Sequence, residues 1–338
     1  MMYVFFQVKY MIRLLLIYVL FYSLTITPVF SAPTGDFNRN GVVGLEDAIS
    51  AMQHGAARSA IHALQINTGQ SPLLTPSQKR NLLLEGVRSW FYYLGFNPTN
   101  STLQQIKDST YDMVVMEPIF TEEYNTNFPI TTIVAGYHNA THPKLVLAYL
   151  DIGQAEEWRT YWQAGWQIGN PSWIVANDPD GWEGNYPVKY WHPDWKSIWL
   201  GQNGYLQEMI NAGFDGIYLD WVEAFSDENV ITAAAADNVD PENEMITFIQ
   251  ELALYARTQN PDFLVIAQNG AELASRNDYV AIIDAIAQEQ VWFDGASDNS
   301  PPGDCPLPAT DNDLETVAYE NLLIAIDNNL NQQNDGCY

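Results

Sequence analysis

The feature that most constrains the fold is the alternation of short apolar runs with helical stretches between residues 89 and 287. The apolar runs predict strands at 89–94, 111–116, 145–151, 172–176, 214–220, 263–268 and 280–287. Intervening helices are predicted at 98–109, 156–164, 195–211 and 241–260. Repeated strand-then-helix units indicate a parallel sheet, and seven predicted strands favour an α/β fold of the (β/α)8, TIM-barrel type over an open sheet. A last helix is expected at 313–330, and the chain stops where an eighth strand is expected, so we expect a barrel that lacks this strand at its C-terminus.

The predicted strand at 214–220 carries the strongest chemical signal, because it ends in a carboxylate. Ile217 and Leu219 alternate with Tyr218 in a short run that has the pattern of a buried strand, and Asp220 follows them. An unpaired buried charge costs much free energy, so a buried strand needs a reason to end on aspartate. In barrels of parallel strands the reaction takes place at the C-terminal strand ends, which makes Asp220 a catalytic candidate. The alternative is an aspartate that caps the next helix or lies in a loop.

Acids and amides follow several of the other predicted strands. They are Glu117, Asp151, Glu156, Asp220, Glu223, Gln268, Asn269 and Glu289, and Tyr149 stands at the end of the same strand as Asp151. Paired acids at one barrel mouth indicate glycoside hydrolysis, in which one acid attacks or stabilises the anomeric carbon and the other protonates the leaving oxygen. The proton donor needs a raised pKa, which apolar neighbours such as Val291 and Trp292 could supply. The scattered histidines and the absence of a Gly-rich phosphate loop predict no cofactor for catalysis.

The charge balance limits the partners. The chain has 14 basic and 41 acidic residues and a formal net charge of −27. This balance argues against nucleic acid and anionic membrane surfaces as partners. It suits a cationic or neutral ligand, although the solubility of an exported protein explains it equally well.

The N-terminal residues 1–32 have the pattern of an export signal. Lys9 and Arg13 give a positive start, an apolar run follows, and small residues precede Ala32. We therefore expect a secreted protein, with an uncleaved membrane anchor as the alternative. Cys305 and Cys337 could pair in an oxidising compartment, but two cysteines do not by themselves establish a disulfide.

A calcium loop is predicted in a small helical appendage at 33–54. Its oxygen ligands have the spacing of an EF-hand loop, with a glycine at the sixth position: Asp36, Asn38, Asn40, the carbonyl of Val42, and Asp47. The pattern resembles one half of a dockerin module, although the second loop of a dockerin is missing and a cohesin partner is therefore doubtful. A polar turn before a helix is the alternative. A linker at 55–77 and the barrel at 78–338 follow.

Several motifs together resemble one family. They are the run Tyr149 to Glu156 with Trp158-Arg159, the tryptophan-rich segment around Trp182 and 188–195, the strand 214–220, Gln268-Asn269-Gly270, and Gln288-Glu289. The combination is similar to the endo-α-1,4-polygalactosaminidase family, glycoside hydrolase family 114, over roughly 90–292. The resemblance implies a (β/α)8 barrel and retaining hydrolysis of an α-1,4-linked galactosamine polymer, a cationic amino-sugar polysaccharide.

The resemblance also implies roles for individual residues. Asp220 is expected to be the nucleophile and Glu289 the acid/base, with Tyr149, Asp151, Lys189 and Asn269 as substrate contacts. Asp151 and Gln154 stand where the family more often has Ser and Glu. Tyr149 as a core residue, Asp151 as a cap and Glu289 as a surface acid are the alternatives. For the whole protein, the alternative is an inactive barrel that binds carbohydrate or acts as a scaffold.

Overall fold

The computed structural model describes residues 74–289, with the exception of 96 and 124, and the backbone of two short strands at 293–294 and 305–306. A boundary between two compact units falls between Ser89 and Trp90. In the smaller unit, helix α1 (Pro76–Glu85) begins with a capping box, because the side chain of Thr75 accepts from the backbone N–H of Gln78 and the Gln78 side chain accepts in return. All further elements belong to the larger unit.

The larger unit is organised by a six-stranded sheet. Its strands, in sheet order, are β1 (Trp90–Tyr93), β2 (Met113–Met116), β3 (Leu145–Asp151), β6 (Gly216–Asp220), β7 (Leu264–Gln268) and β8 (Ala285–Ala287). Every neighbouring pair is parallel. Separate antiparallel pairs are formed by β4 (Gln154–Glu156) with β5 (Asn185–Pro187), and by β9 (Phe293–Asp294) with β10 (Cys305–Pro306).

Helices connect the parallel strands. They are α2 (Asn100–Asp108), α3 (Ile130–His138), α4 (Pro193–Trp199), α5 (Tyr205–Ala212), α6 (Glu228–Asp237), α7 (Pro241–Gln259) and α8 (Asn277–Val280). All residues of β2, β3 and β7 are buried, as expected for parallel strands that are covered on both faces. The α/β class predicted from the sequence is confirmed.

A contact between distant strands shows that the sheet is curled. The hydroxyl of Tyr92 on β1 donates to Oε1 of Gln268 on β7 at 3.1 Å, although three strands lie between β1 and β7 in the sheet. Neighbouring strands are about 4.8 Å apart, so a flat sheet would hold these two strands too far apart for this contact. The rings of Tyr149 and Tyr218 also pack edge-on against Tyr92 on the concave face. The sheet is therefore a half-barrel of the TIM type, and the predicted eighth strand lies outside the described residues.

The predicted strand at 172–176 is wrong. These residues form turns, and Ile174 makes only an isolated antiparallel bridge with Val188. The run is apolar because Trp173 and Ile174 are buried in the core, and a short apolar run does not distinguish a strand from a buried loop. As a consequence β3 pairs directly with β6, and Asp220 ends the fourth strand of the sheet rather than the fifth.

Two predicted helices also differ from the structure. Residues 156–164 form the end of β4 and a series of turns, because tertiary ion pairs of the buried Arg159 override local helix propensity. The predicted helix 195–211 is divided into α4 and α5. Gly201 has a φ of +102°, and a Cβ on Gly204 would meet the carbonyl oxygen of Trp199 at 2.4 Å, so the segment between the glycines turns the chain.

Other boundaries were partly predicted. Helices α2 and α7 are confirmed within two residues, whereas α3 and α6 were not predicted. The predicted strand 280–287 is a strand only at its end, because Val280 closes α8. The predicted helix 313–330, the export signal and the calcium loop lie outside the described residues.

Candidate active site

Asp220 lies at the C-terminal end of β6 and is held from three sides. The backbone N–H of Trp221 and Nε2 of Gln268 each donate to its Oδ1 at 2.8 Å, and the hydroxyl of Tyr149 donates to its Oδ2. Trp221 has a left-handed φ of 56°, which turns the chain from β6 into a 3₁₀ turn, Val222–Ser226. The carboxylate is therefore oriented by the strand end, the neighbouring strand β3 and the neighbouring strand β7.

A single amide joins Asp220 to Glu289. Nε2 of Gln268 donates at 2.8 Å to Oδ1 of Asp220 and at 2.8 Å to Oε2 of Glu289. The two carboxylate oxygens are consequently no farther apart than twice this distance. The hydroxyl of Tyr92 fixes the other end of the Gln268 amide at 3.1 Å. Asp220 is the last residue of β6, and Glu289 follows β8. These two strands flank β7, so one strand lies between the two acids.

Asn269 forms a second link to Glu289. Its Nδ2 donates to Oε2 of Glu289 at 3.1 Å and to Oε1 of Glu223 at 2.7 Å. Its Oδ1 accepts from the backbone N–H of Glu289 at 3.0 Å and from Nε2 of Gln288 at 3.2 Å. The carboxamide of Asn269, predicted to be a substrate contact, is thus fully engaged within the protein.

Burial raises the pKa of the acids in this network. It raises the pKa of Asp220 to about 7; the hydrogen bond from Tyr149 opposes this effect and the charge of Glu289 adds to it. Burial also raises the pKa of Glu289, against the hydrogen bonds from Asn269 and Gln268. The pKa of Glu223 is raised to about 8 by burial and then by the charge of Asp220. The site therefore holds protons near neutral pH.

Asp151 lies beside Asp220, since the two residues are paired in register between β3 and β6. Its Oδ1 accepts from the backbone N–H groups of Gly153 at 3.1 Å and Gln154 at 2.7 Å, so it stabilises the turn after β3. Burial, followed by the charges of Asp220 and Glu156, raises its pKa well above the usual range. Tyr149 is likewise buried, and its hydroxyl reaches Asp220.

A buried cluster around Arg159 lies beyond Asp151. The guanidinium is in ion pairs with Glu117 at 2.6 Å, Glu122 at 2.5 Å and Glu156 at 2.6 Å, and all four side chains are almost fully buried. Burial raises the pKa of Glu122 to about 8, and the positive charge of Arg159 offsets part of this rise. The sequence identified Glu117 and Glu156 as strand-end acids but did not show that one arginine binds them together. The signals in the sequence were the strand-end position of these acids and the presence of Glu156 and Arg159 in one family motif, and neither predicts a shared ion pair.

Lys189 is not part of the hydrogen-bond network that joins the two acids. Its Nζ contacts both carboxylate oxygens of Asp237, at 3.1 and 2.9 Å, and Nε1 of Trp191 donates to the same carboxylate at 3.0 Å. These contacts lower the pKa of Asp237. The side chain of Trp182, in the same tryptophan-rich segment, is 54% exposed.

The predicted calcium ligands, and the apolar neighbours Val291 and Trp292 of Glu289, lie outside the described residues. Among the residues that are described, no group of three or more His, Cys, Asp or Glu side chains is arranged to hold a metal ion. No helix in this part of the chain is long and apolar enough to span a membrane.

The sequence match to a protein family covers this whole network. The family model for glycoside-hydrolase family GH114 matches residues 87–299, which is more than half of the 338 residues. The chain belongs to glycoside-hydrolase family GH114. The GH114 match includes Tyr92 at one edge of the curled sheet and Glu289 after the last of its parallel strands. Family membership supports a glycoside hydrolase.

Two relatives of the GH114 chain are uncharacterized proteins. The chain is 35% identical over 227 residues to a protein of Deinococcus radiodurans, and the alignment covers 67% of each chain. It is 42% identical over 135 residues to a protein of Thermotoga maritima, with 39% of each chain covered.

Two solved structures are similar to the chain. One is the glycoside hydrolase domain of PelA from Pseudomonas aeruginosa, with a TM-score of 0.47, 15% identity, and coverage of 70% of this chain and 79% of that chain. The other is Aspergillus fumigatus Ega3 in complex with galactosamine, with a TM-score of 0.42, 16% identity, and coverage of 59% and 65%. The family assignment rests on the sequence match alone.

Proposed function

We propose that this GH114 chain is a retaining glycoside hydrolase that cleaves α-1,4-linked galactosamine-type polysaccharide, with Asp220 as nucleophile and Glu289 as acid/base. The observation that carries the proposal is the Gln268 amide that holds one oxygen of each acid at 2.8 Å. Retaining glycosidases have carboxyl groups about 5–5.5 Å apart, whereas inverting enzymes need roughly 6.5–9.5 Å to admit a water molecule. One shared amide supports the shorter separation.

The proposed reaction has two steps. Asp220 attacks the anomeric carbon, the bond to the leaving sugar breaks, and the proton of Glu289 goes to the leaving oxygen. Water then gives a proton to Glu289 while its oxygen attacks the anomeric carbon and releases Asp220. Each step inverts the configuration, so the product keeps that of the substrate.

The electrostatics support a cationic amino sugar as the substrate. Asp151 and Glu223 stand beside the two catalytic candidates, and the chain carries a net charge of −27. An ammonium group among these acids would stabilise their charged forms and lower their pKa values. The excess of acidic residues would also raise the local concentration of a polycation at low salt.

The proposed substrate contacts differ in what binding requires of them. Tyr149 and Asp151 already line the concave end of the sheet beside Asp220. Lys189 would first have to leave Asp237, to which it is bound through both carboxylate oxygens. We therefore propose that Lys189 leaves Asp237 when substrate binds and then contacts the substrate.

Export and calcium binding complete the proposal. Residues 1–32 have the pattern of an export signal, and 33–54 that of a calcium loop. We propose a secreted enzyme with a calcium-dependent appendage. One loop is only half of a dockerin, so docking to a cohesin is not part of the proposal.

The stereochemistry of the product tests the proposed mechanism. The first product released from a de-N-acetylated α-1,4-linked galactosamine oligomer, followed by proton NMR before mutarotation, should be the α-anomer. Asp220→Asn should abolish turnover and leave binding largely intact. A β-anomer as the first product would remove Asp220 from the role of nucleophile.

The second candidate is a barrel without activity that binds carbohydrate. It is favoured if the wild-type chain binds the oligomer in calorimetry and releases no product after prolonged incubation. In that case the Gln268 amide would hold two acids that only contact the sugar.

A further inference from the structure

The loops after β6 and β7 are built alike. β6 ends in Asp220 and β7 ends in Gln268, the amide that joins Asp220 to Glu289. The next residue in each case has a left-handed backbone, Trp221 with φ 56° and Asn269 with φ 59°. Each loop then enters a 3₁₀ turn, Val222–Ser226 or Ala271–Ser275. A Cβ on Gly270, with φ +61°, would meet Cγ1 of Val222 at 3.0 Å, so the two loops are in close contact.

Both 3₁₀ turns carry a glutamate at their second position, but the two glutamates have different surroundings. Oε1 of Glu223 accepts from Asn269 at 2.7 Å, and its Oε2 is enclosed with no hydrogen-bond partner among the described residues. Glu272, in the second turn, is exposed. The backbone carbonyl of each glutamate accepts from the serine at the end of its turn, at 2.9 Å for Ser226 and 3.0 Å for Ser275. Glu272 is therefore a natural internal control for Glu223.

We infer that Glu223 is a positioning residue that acts through Asn269 on Glu289. This inference rests on the proposed role of Glu289 as acid/base. The orientation of the Asn269 amide is unambiguous, because the backbone N–H of Glu289 can only donate and therefore faces Oδ1 at 3.0 Å. Nδ2 must then face the two carboxylates, and its two hydrogens go to Glu223 and Glu289.

As a consequence, the two carboxyl oxygens of Glu289 differ in the hydrogen bonds that they accept. Oε2 accepts from Gln268 at 2.8 Å and from Asn269 at 3.1 Å. A carboxylate oxygen that already accepts two N–H donors has no lone pair left for a proton in the same plane. The acid proton therefore belongs on Oε1. Glu223 and Asn269 thus determine which oxygen of Glu289 presents its proton to the leaving group.

The protonation state of Glu223 agrees with this arrangement. Burial and the charge of Asp220 raise its pKa to about 8, while the hydrogen bond from Asn269 opposes them. Near neutral pH the side chain is mostly neutral, with Oε1 as acceptor, so its proton belongs on the enclosed Oε2. The groups that face Glu223 electrostatically are Asp220, Glu289, Tyr218 and Tyr279. A glutamine at this position would keep both the acceptor and the neutrality.

The kinetic experiment compares Glu223→Ala, Glu223→Gln and the control Glu272→Ala on two substrates. One is an α-linked galactosamine oligomer, whose sugar leaving group needs the acid proton, and the other is an aryl α-galactosaminide with an acidic phenol, which does not. Glu223→Ala should lower kcat/KM for the oligomer by about tenfold or more and change that for the aryl substrate much less. Glu223→Gln should restore most of the loss. Equal losses on both substrates, or a glutamine variant as slow as the alanine variant, would overturn the inference.

A titration tests the same inference without catalysis. The carbon NMR signal of the Glu289 carboxyl, assigned with Glu289→Gln, reports its pKa directly. The hydrogen bond from Asn269 lowers this pKa, so Glu223→Ala should raise it, while Glu223→Gln and Glu272→Ala should leave it near the wild-type value.

Asn269→Gly is the second variant, because glycine tolerates the positive φ and removes the amide completely. It should raise the pKa of Glu289 as Glu223→Ala does. If the pKa of Glu289 is unchanged in both Asn269→Gly and Glu223→Ala, the inference is refuted. If the wild-type chain hydrolyses neither substrate, the proposed function fails while the titration still decides the role of Glu223.

Discussion

The hydroxyl of Tyr149 donates a hydrogen bond to Oδ2 of Asp220 from the strand directly beside it. In the β3–β6 register Tyr149 pairs with Tyr218, so its ring reaches forward along the sheet to the carboxylate two residues further on. Burial raises the pKa of Asp220 to about 7, and the hydrogen bond from Tyr149 is the largest effect that opposes it. Tyr149 therefore keeps the proposed nucleophile ionised close to neutral pH.

Tyr149→Phe should move the acidic limb of the kcat/KM profile to higher pH. The variant loses a hydrogen bond to a charged group, worth about 1.5–3 kcal/mol, which corresponds to roughly one to two pKa units. Since Asp220 must be ionised to attack, its pKa sets the acidic limb, which lies near pH 7 in the wild-type protein. The measurement is kcat/KM against pH for both proteins.

Tyr137→Phe is the matched control for this prediction. The hydroxyl of Tyr137 is buried and has no hydrogen-bond partner within the described chain, so its removal should leave the acidic limb in place. An acidic limb that does not move in Tyr149→Phe would show that Tyr149 does not tune Asp220.

Asp220→Asn should stabilise the fold more at pH 8 than at pH 4. The pKa of Asp220 is about 7 in the folded protein and about 3.9 in an unfolded chain. Its contribution to the free energy of unfolding is thus fully present below about pH 4 and is lost as the pH rises through about 7. Asparagine does not ionise, so the variant avoids this loss, which is on the order of a few kcal/mol.

Thermal unfolding between pH 4 and 8 measures this effect as the difference in Tm between variant and wild type. Asp194→Asn is the control, because the side chain of Asp194 is 78% exposed. A difference for Asp220→Asn that stays constant over the whole pH range would contradict the prediction.

The sequence predicted the sheet and the two acids better than their connections. Asp220 was recognised because it directly follows an apolar run, which is a local pattern, and Glu289 because it follows a predicted strand and matches a family motif. The predicted strand 172–176 failed because burial in a loop leaves the same apolar signature as burial in a sheet. Helix α6 was missed although Asp227, which caps it by accepting from Asn229 and Val230 at 2.9 Å, precedes a run of alanines.

The links between the acids could not be predicted from the sequence. Gln268 was noted as a residue at a strand end and as part of a family motif, without a role of its own. Its role depends on a curl of the sheet that brings Tyr92 from the far edge to its amide. The role of Asn269 depends on a left-handed backbone, which the residue type permits but does not require. Such contacts arise from long-range geometry and leave no periodic signal.

Arg159→Leu should destabilise the protein by about 3–5 kcal/mol at pH 8, because it leaves buried carboxylates without their only described cation. Three glutamates share the guanidinium, and their side chains are between 2% and 6% exposed. The loss should be smaller at pH 5, since burial raises the pKa of Glu122 to about 8 and lets it take up a proton. Chemical denaturation at both pH values measures the effect.

Arg276→Leu serves as the control for Arg159. Its ion pairs with Glu242 and Asp278 are much more exposed, so the change should have little effect on stability. If Arg159→Leu unfolds at the same denaturant concentration as wild type, the cluster does not stabilise the fold.

Calcium should bind the N-terminal loop with moderate affinity, because one aspartate and two asparagines plus Asp47 form a modest set of ligands. Asp36→Ala removes the first ligand and should weaken calcium binding in calorimetry at least tenfold. Asp108→Ala, in helix α2 outside the predicted loop, should bind calcium as the wild type does. Identical binding by Asp36→Ala and wild type would refute the loop.

Glu289→Gln should slow the hydrolysis of an oligomer far more than that of an activated aryl glycoside. A sugar alkoxide is a poor leaving group and needs a proton as the bond breaks, whereas an acidic phenol leaves without one. The variant keeps an oxygen that can accept from Gln268 and Asn269, so the geometry around Asp220 should persist. General acid catalysis contributes about 10²–10⁴-fold, which is the loss in kcat/KM expected for the oligomer, while kcat/KM for the aryl substrate should change less than tenfold. Steady-state rates on both substrates measure the ratio. Equal losses would mean that Glu289 orients the site rather than donating the proton, and the proton donor would then have to be sought among Asp151 and Glu223.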